Sequence, residues 1–378
     1  MPWGVSFDEQ TGTFSGTPDT AGEYTVPVTV ETNYGRDTKD VLVKVKENVD
    51  WEKVQFNILY GIVADTPVTI KNNGSTTFYH MLVTPLDDIT KQKIYLVTEV
   101  TSGSAGATSI KSAGNYGEDT YISKMYNAIS NSDGLFTYMV GETANGAILC
   151  WYNQNSFKKL TPPYSTTEWY AACYCSNLNR IFYFSKNGVV VTITNAYGSS
   201  WKASILSDYV SIGITNINPN CAAYSPISGK MCVSSSNNMV ATSYDGVTWE
   251  TAISPDNFTF LEYRSDLGKF VAFGKETKLF YISENGLTWE QYNNTPVPLN
   301  DIQTLSLYST RYGYCSIGTR ERETGVYSAL SVNLEDWTFK KITNDNVRFK
   351  NVIYASHDSG KLVAAPINGG NYLYQIKY

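Results

Sequence analysis

Ser243-Tyr244-Asp245-Gly246-Val247-Thr248-Trp249 and Ser283-Glu284-Asn285-Gly286-Leu287-Thr288-Trp289 decide the fold. In each stretch a short polar side chain, Asp245 or Asn285, can bond the backbone of its own turn. The next residue, Gly246 or Gly286, supplies the positive φ that a tight turn demands. The closing Trp249 or Trp289 carries enough apolar surface to be packed between layers. Weaker copies keep the order: Ser331 to Trp337 through Asn333, Asn195 to Trp201 through Gly198, and Asn153 to Phe157 through Ser156.

Working outward, a second unit precedes most of these turns. It is a strand, a tight turn and a second strand of small and apolar residues. Copies turn at Gly134, Asn179, Gly229, Gly268, Gly313 and Gly360, spaced 39 to 50 residues apart. Together the two units predict four antiparallel strands per repeat, which is the blade of a β-propeller. The last copy ends with Asn371-Tyr-Leu-Tyr-Gln-Ile-Lys-Tyr378, its third strand, and has no fourth. Asp50-Trp51-Glu52-Lys53 reads like the missing one, because Asp336-Trp337 and Trp289-Glu290 run the same way. The N-terminal segment is therefore expected to close the ring near Trp51 and remove its free edges. The 328 residues from 51 to 378 divide into seven units of about 47, so seven blades are expected, with six as the alternative. Residues 57–120 would be an atypical blade or a small inserted β domain, with strands at 77–84 and 93–98.

The turn stretches resemble the Asp-box repeat, Ser-x-Asp-x-Gly-x-x-Trp, of sialidases and many other propellers. Ser243, Asp245, Gly246, Trp249, Ser283, Asn285, Gly286, Trp289, Asn333 and Trp337 carry that resemblance. It implies a structural role for these residues, on hairpins away from the face where propellers bind ligands.

Residues 2–46 alternate apolar and polar positions, as in Thr25-Val-Pro-Val-Thr-Val30 and Asp40-Val-Leu-Val-Lys-Val-Lys46, with turn residues between. Phe7-Asp8, Thr11-Gly12, Phe14-Ser-Gly-Thr-Pro18, Ala21-Gly22 and Tyr24 closely resemble a bacterial and phage Ig-like module family. That resemblance implies a small β-sandwich over 1–48, acting as a spacer or docking module, with the propeller over 49–378. Such modules usually carry one further strand before this start, so the module is either short of a strand or completed at its edge by a neighbouring chain.

Composition agrees with β structure. The chain holds 29 Tyr, 15 Phe and 8 Trp against 29 Lys plus Arg, and aromatic and β-branched residues suit pleated surfaces. A net charge of −6 without clustering provides no basic face for nucleic acid. No run of 18 apolar residues would insert in a membrane, and Met1-Pro-Trp-Gly4 lacks the charged and apolar regions of a secretory signal. Six cysteines are expected to be free core residues, although Cys221 and Cys232 flank a hairpin and could pair. Two histidines, His80 and His357, make a zinc site or a His-based triad a poor expectation; no metal or cofactor is expected.

The resemblance to sialidases raises the question of their catalytic set: three arginines, a Tyr–Glu nucleophile pair and an acid. Arg180, Arg264 and Arg311 fall in or beside first-to-second-strand turns, away from the expected ligand face. Glu142, Glu168, Glu321 and Glu323 are the candidate carboxylates for other glycosidases, and the plainer reading makes them solvated loop acids. The chain is thus expected not to be an enzyme. Tyr164, Trp169 and Tyr170 are candidate ligand-binding residues, able to stack on sugar rings; Trp169 and Tyr170 can equally begin a strand and pack inward. The expectation is a virion-associated or surface adhesin or structural protein, such as a phage tail, fibre or capsid-decorating component. It would meet other virion or cell-surface subunits and a host glycan. The alternative is a secreted or surface bacterial carbohydrate-active protein.

Overall fold

The computed structural model describes residues 4–16, 22–45, 50–55, 61–63, 69–72, 77–85, 93–101, 104–109, 122–130, 137–143, 148–152, 156–160, 169–185, 189–194, 202–208, 219–309, 312–355, 361–366 and 372–377. From 55 to 170 this is backbone alone.

Every described element is a strand except a 3-10 turn at Ser176–Leu178. Two ribbons come first: β1 (Val5–Asp8) with β2 (Thr13–Gly16), and β3 (Gly22–Thr32) with β4 (Gly35–Val45). β5 (Asp50–Gln55) follows. Next is a five-stranded sheet of β6 (Gly61–Val63), β7 (Thr69–Asn72), β8 (Thr77–Pro85), β9 (Lys93–Thr101) and β10 (Ser104–Ser109). The expected strands at 77–84 and 93–98 are β8 and β9.

Six four-stranded antiparallel sheets complete the chain. The first holds β11 (Ile122–Ser130), β12 (Thr137–Thr143), β13 (Ile148–Tyr152) and β14 (Ser156–Leu160). The second holds β15 (Trp169–Cys175), β16 (Arg180–Ser185), β17 (Val189–Thr194) and β18 (Lys202–Asp208). The third holds β19 (Pro219–Tyr224), β20 (Met231–Ser235), β21 (Met239–Ser243) and β22 (Glu250–Ile253). The fourth holds β23 (Phe258–Arg264), β24 (Lys269–Gly274), β25 (Phe280–Ser283) and β26 (Glu290–Gln291). The fifth holds β27 (Ile302–Leu305), β28 (Tyr314–Gly318), β29 (Val326–Ser331) and β30 (Thr338–Thr343). The sixth holds β31 (Phe349–Ala355), β32 (Lys361–Pro366) and β33 (Tyr372–Lys377), and its fourth member is β5.

That last pairing is the one read from Asp50-Trp51. β5 lies antiparallel to β33, with Trp51 opposite Ile376 and Val54 opposite Leu373. Neighbouring sheets touch through matching strands. First strands meet at β7·β11, β11·β15, β15·β19, β19·β23 and β27·β31, and last strands at β14·β18, β30·β5 and β10·β5.

The apolar core lies between sheets rather than within one, because each sheet presents apolar residues on both faces. Phe182 and Phe184 of the second four-stranded sheet meet Met231 and Val233 of the third. Val240 and Cys232 of the third meet Phe258 and Phe270 of the fourth. Phe273 and Phe280 of the fourth meet Tyr314 and Ala329 of the fifth, and Leu330 of the fifth meets Leu362 and Tyr374 of the sixth. A tryptophan backs each slab: Trp249, Trp289, Trp337 and Trp51 in turn.

The seven-residue turns have the local bonding that their residue types imply. Ser243 Oγ accepts from Gly246 N at 2.8 Å, Asp245 Oδ1 accepts from Val247 N at 2.7 Å and Thr248 N at 2.8 Å, and Trp249 Nε1 donates to Gly246 O at 3.1 Å. Ser283, Asn285 and Trp289 repeat this within 0.1 Å. In the third copy Asn333 Oδ1 accepts from Glu335 N and Asp336 N, both at 3.0 Å. There Leu334 stands where glycine stood, at φ +63, and Trp337 Nε1 has no partner among the described residues.

Two glycines separate backbone strain from crowding. Gly268 has φ +66 with open space around an added Cβ, whereas at Gly286 (φ +77) that Cβ would lie 2.7 Å from Thr242 Cγ2 and 3.1 Å from Cys232 Sγ. Gly268→Ala is expected to cost about 1 kcal/mol of left-handed strain. Gly286→Ala should cost roughly 3 kcal/mol, because overpacking against the preceding sheet adds to it. Denaturant midpoints of the two variants check the difference; equal shifts would show that the turn does not press on that sheet.

Candidate functional site

Antiparallel connectivity gives each four-stranded sheet two distinct ends. One, the turn end, carries the first-to-second and third-to-fourth connections, including the seven-residue turns. The other, the loop end, carries the second-to-third connection and the link from the preceding sheet.

At the loop end a feature recurs in all six sheets. The ladder between first and second strands slips by one residue, so that two residues of the first strand oppose one of the second. The slips fall between Ile122 and Lys124 and again between Met125 and Asn127 in the first sheet, then between Trp169 and Ala171, Pro219 and Cys221, Phe258 and Phe260, Ile302 and Thr304, and Phe349 and Asn351. Such bulges bend a strand and re-aim the extra residue. The extra residues are Ser123 and Tyr126 in the first sheet, then Tyr170, Asn220, Thr259, Gln303 and Lys350. Each can hydrogen-bond, and none is aliphatic. Thr259 is exposed and Gln303 half-buried, and Gln303 Oε1 accepts from Phe349 N of the next sheet at 2.8 Å.

The loops around these bulges are held by buried polar side chains. Asp256, in the link into the fourth sheet, accepts from Asn257 N (2.6 Å) and Glu276 N (3.2 Å) through Oδ1. Through Oδ2 it accepts from Thr277 N (2.9 Å) and Thr277 Oγ1 (2.6 Å). Gly274 faces that carboxylate so closely that a Cβ would meet Oδ2 at 2.3 Å. Asn293 Oδ1 accepts from Phe280 N at 2.7 Å, while its Nδ2 donates at 3.1 Å to Leu334 O in the third seven-residue turn and so ties this link to the turn of the next sheet. A buried polar group that is fully bonded rigidifies its surroundings, so this end is preorganised.

The candidates named from sequence fall as follows. Tyr164 and Glu168 lie outside the described residues. Trp169 opens β15 opposite Ser185, and Tyr170 is the bulged residue beside it; their side chains lie outside the described residues. Glu142 is in β12, opposite Lys124. Glu323 pairs with Arg320 at 2.8 Å and Glu321 lies 3.8 Å from Arg322, on an exposed turn. The bulge positions escaped the sequence reading, although they leave a signal: apolar residues at 258, 260 and 261 break strict alternation where the ladder slips.

A Tyr–Glu pair does exist, at the other end. Tyr314 donates its hydroxyl to Glu262 Oε1, and Tyr308 N donates to Oε2 at 3.2 Å. Arg264 is chelated by Asp266 at 2.8 and 2.5 Å and lies 3.3 Å over the Tyr308 ring. Tyr314 has no exposed surface, and its phenol is pushed up by burial and then by Glu262. A substrate cannot reach this pair, so its role is to join the fourth and fifth sheets. No cluster of metal-ligating residues occurs among the described residues, and none of their helices is long and apolar enough to cross a membrane. Cys173, Cys175, Cys221, Cys232 and Cys315 are free. Cys221 opposes Ser234 and Cys232 opposes Ala223, so these two do not face each other, and burial pushes the Cys221 thiol up to about 12.

No curated protein sequence matches the chain. Among solved structures it is similar to the extracellular domain of the "putative one component system BT4673" from B. thetaiotaomicron, at 14% identity and a TM-score of 0.53. The match covers 87% of this chain and 40% of that one, so the chain spans less than half of that structure, and the likeness is one of fold. Residues 1–46 match the family model described as "Putative Ig domain".

Proposed function

We propose that the five-stranded sheet and the six four-stranded sheets are the blades of a seven-bladed β-propeller of Asp-box type, closed by β5. The propeller would serve as a non-catalytic recognition module on a virion or cell surface. The ring reading is supported by the β5–β33 pairing and by the contacts of β5 with β10 on one side and β30 on the other. Surface placement is supported by the Ig-like match and by a fold neighbour that is an extracellular domain. A phage tail, fibre or capsid-decorating component fits this combination.

The observation that carries recognition is the repeated bulge. Six first strands each carry at least one hydrogen-bonding residue out of register towards the same end, two of these residues being tyrosines. Hydrogen-bonding and aromatic residue types recurring at one end suit a hydroxyl-rich ligand such as a glycan. Binding of the purified chain to a glycan array, with hydrolysis assayed in parallel, tests this. Retention of unaltered glycan is expected, with Tyr170→Ala weakening it about tenfold, equivalent to ~1.4 kcal/mol. Asp245→Ala, at the turn end, should leave it unchanged. Release of sugar would favour a carbohydrate-active enzyme instead. No retention, or sensitivity only to Asp245→Ala, would remove the loop end as the binding face.

A further inference from the structure

The β3–β4 ribbon belongs to none of the larger sheets. Among the described strands β4 pairs with β3 alone, and residues 31–42 are all exposed. Register fixes which backbone groups face its outer edges. Thr32 and Gly35 stand opposite each other across the two-residue turn, so every second pair from there exchanges N–H···O bonds within the ribbon. Pro27, opposite Asp40, falls in the other set, as it must, because it has no N–H to give. On β3 the outward-facing set includes Pro27, which interrupts that edge. On β4 it comprises Arg36, Thr38, Asp40, Leu42 and Lys44, whose N–H and C=O groups point away from β3. An open regular edge of this kind is a template for a further strand.

The side chains of β4 specify which strand. From residue 36 to 40 they run Arg-Asp-Thr-Lys-Asp. Against a second β4, antiparallel about a two-fold axis at Thr38, Arg36 faces Asp40 of the second copy and Asp37 faces its Lys39. The reverse pairs repeat on the other side of the axis. The same register sets outward-facing residues opposite one another, so Arg36–Asp40, Thr38–Thr38 and Asp40–Arg36 each exchange two backbone bonds. It also brings Tyr34, fully exposed, beside Leu42 of the second copy, 53% exposed. The adjacent registers that keep these bonds in phase move the axis to Asp37 or to Lys39. They set Asp37 on Asp37 or Lys39 on Lys39, and like charges directly opposite are destabilising. Charge and backbone therefore agree on one pairing. We infer that β4 is a homodimerisation edge: two copies join β4 to β4 about Thr38 into one four-stranded antiparallel sheet. The contact is isologous and closes at two copies. The outer edges of the joined sheet are the two β3 strands, where Pro27 opposes further growth. The clasp of Glu23 and Lys44 on Asn333 and Asp336, at the base of the ribbon, is left untouched. The inference rests on neither a closed ring nor a ligand at the loop end.

Sedimentation of the full chain over a concentration series tests it. The wild type passes from monomer to dimer and no further. Lys39→Asp and Asp37→Lys each set like charges opposite one another on both sides of the axis, and each weakens dimerisation at least about tenfold. An equimolar mixture of the two variants recovers it, because the acids of one chain then face the bases of the other. The double variant recovers it for the same reason. Thr38→Pro removes an outward N–H that β3 does not use, so the ribbon keeps its own bonds while the dimer is lost. Unchanged thermal melts show that the variants fold. A wild type that stays monomeric at about 500 μM, far above a micromolar Kd, overturns the inference. So do charge variants that dimerise like the wild type, a mixture of folded variants that stays monomeric, or association that continues past two copies.

Discussion

A chain lacking residues 1–55 is expected to aggregate, whereas one lacking only residues 1–46 should fold with nearly the full-length melting temperature. The longer deletion removes β5 and leaves β33 as an open edge six residues long. Open edges template pairing with other chains. It also strips Val54, which is 1% exposed, and Trp51, which packs on the slab between the fifth and sixth sheets and donates Nε1 to Ser328 Oγ at 2.8 Å. Burial of a valine contributes about 2 kcal/mol and the larger, partly buried tryptophan a similar amount. The indole hydrogen bond and the ladder add roughly 1 kcal/mol per net bond. The loss therefore exceeds about 5 kcal/mol, comparable with the whole stability of a typical domain. The shorter deletion loses mainly the Lys44 clasp, whose partners are more than a third exposed, and exposed ion pairs contribute little. Thermal melts and light scattering of both truncations are the measurement. A soluble chain from residue 56 with the full-length transition would mean that β5 closes nothing. Trp51→Ala in the intact chain should give a smaller loss of about 2–3 kcal/mol.

Glu262→Ala should cost about 3–4 kcal/mol, and Glu262→Gln about 1 kcal/mol or less near neutral pH. Alanine leaves the Tyr314 hydroxyl and the Tyr308 N–H buried without an acceptor, at roughly 1–3 kcal/mol each. Glutamine keeps an acceptor there and removes the buried charge. Burial is the largest influence on this carboxyl and raises its pKa; the bonds from Tyr314 and Tyr308 and the charge of Arg264 pull it back only in part. The fold therefore favours the neutral acid more than the unfolded chain does. The sign follows from linkage: this contribution is whole below the unfolded-state value of about 4.3 and is lost as pH rises through the higher native value. Denaturant unfolding between pH 4 and 8 should show wild-type stability declining relative to Glu262→Gln over that window. Parallel curves for the two proteins would show that Glu262 is ionised without penalty in the fold.

What the sequence by itself determined is the repeat. Each seven-residue turn is bonded almost wholly within itself, so Ser243, Asp245, Gly246 and Trp249 announce it wherever they occur in that order. The strand at Asp50 was legible for the same reason, as a fragment whose wording matched copies elsewhere in the chain. The third copy shows the limit: Leu334 holds a left-handed φ because it is buried against the fourth sheet, and no local rule selects leucine there. Tertiary structure alone decided the recurring bulges, the Glu262–Tyr314 link and the seating of the Ig-like ribbon on Asn333 and Asp336. Each of these joins residues of different strands, sheets or modules. Their partners are chosen by the packing of whole sheets, whose geometry is a sum over many apolar contacts and is not written in any one segment.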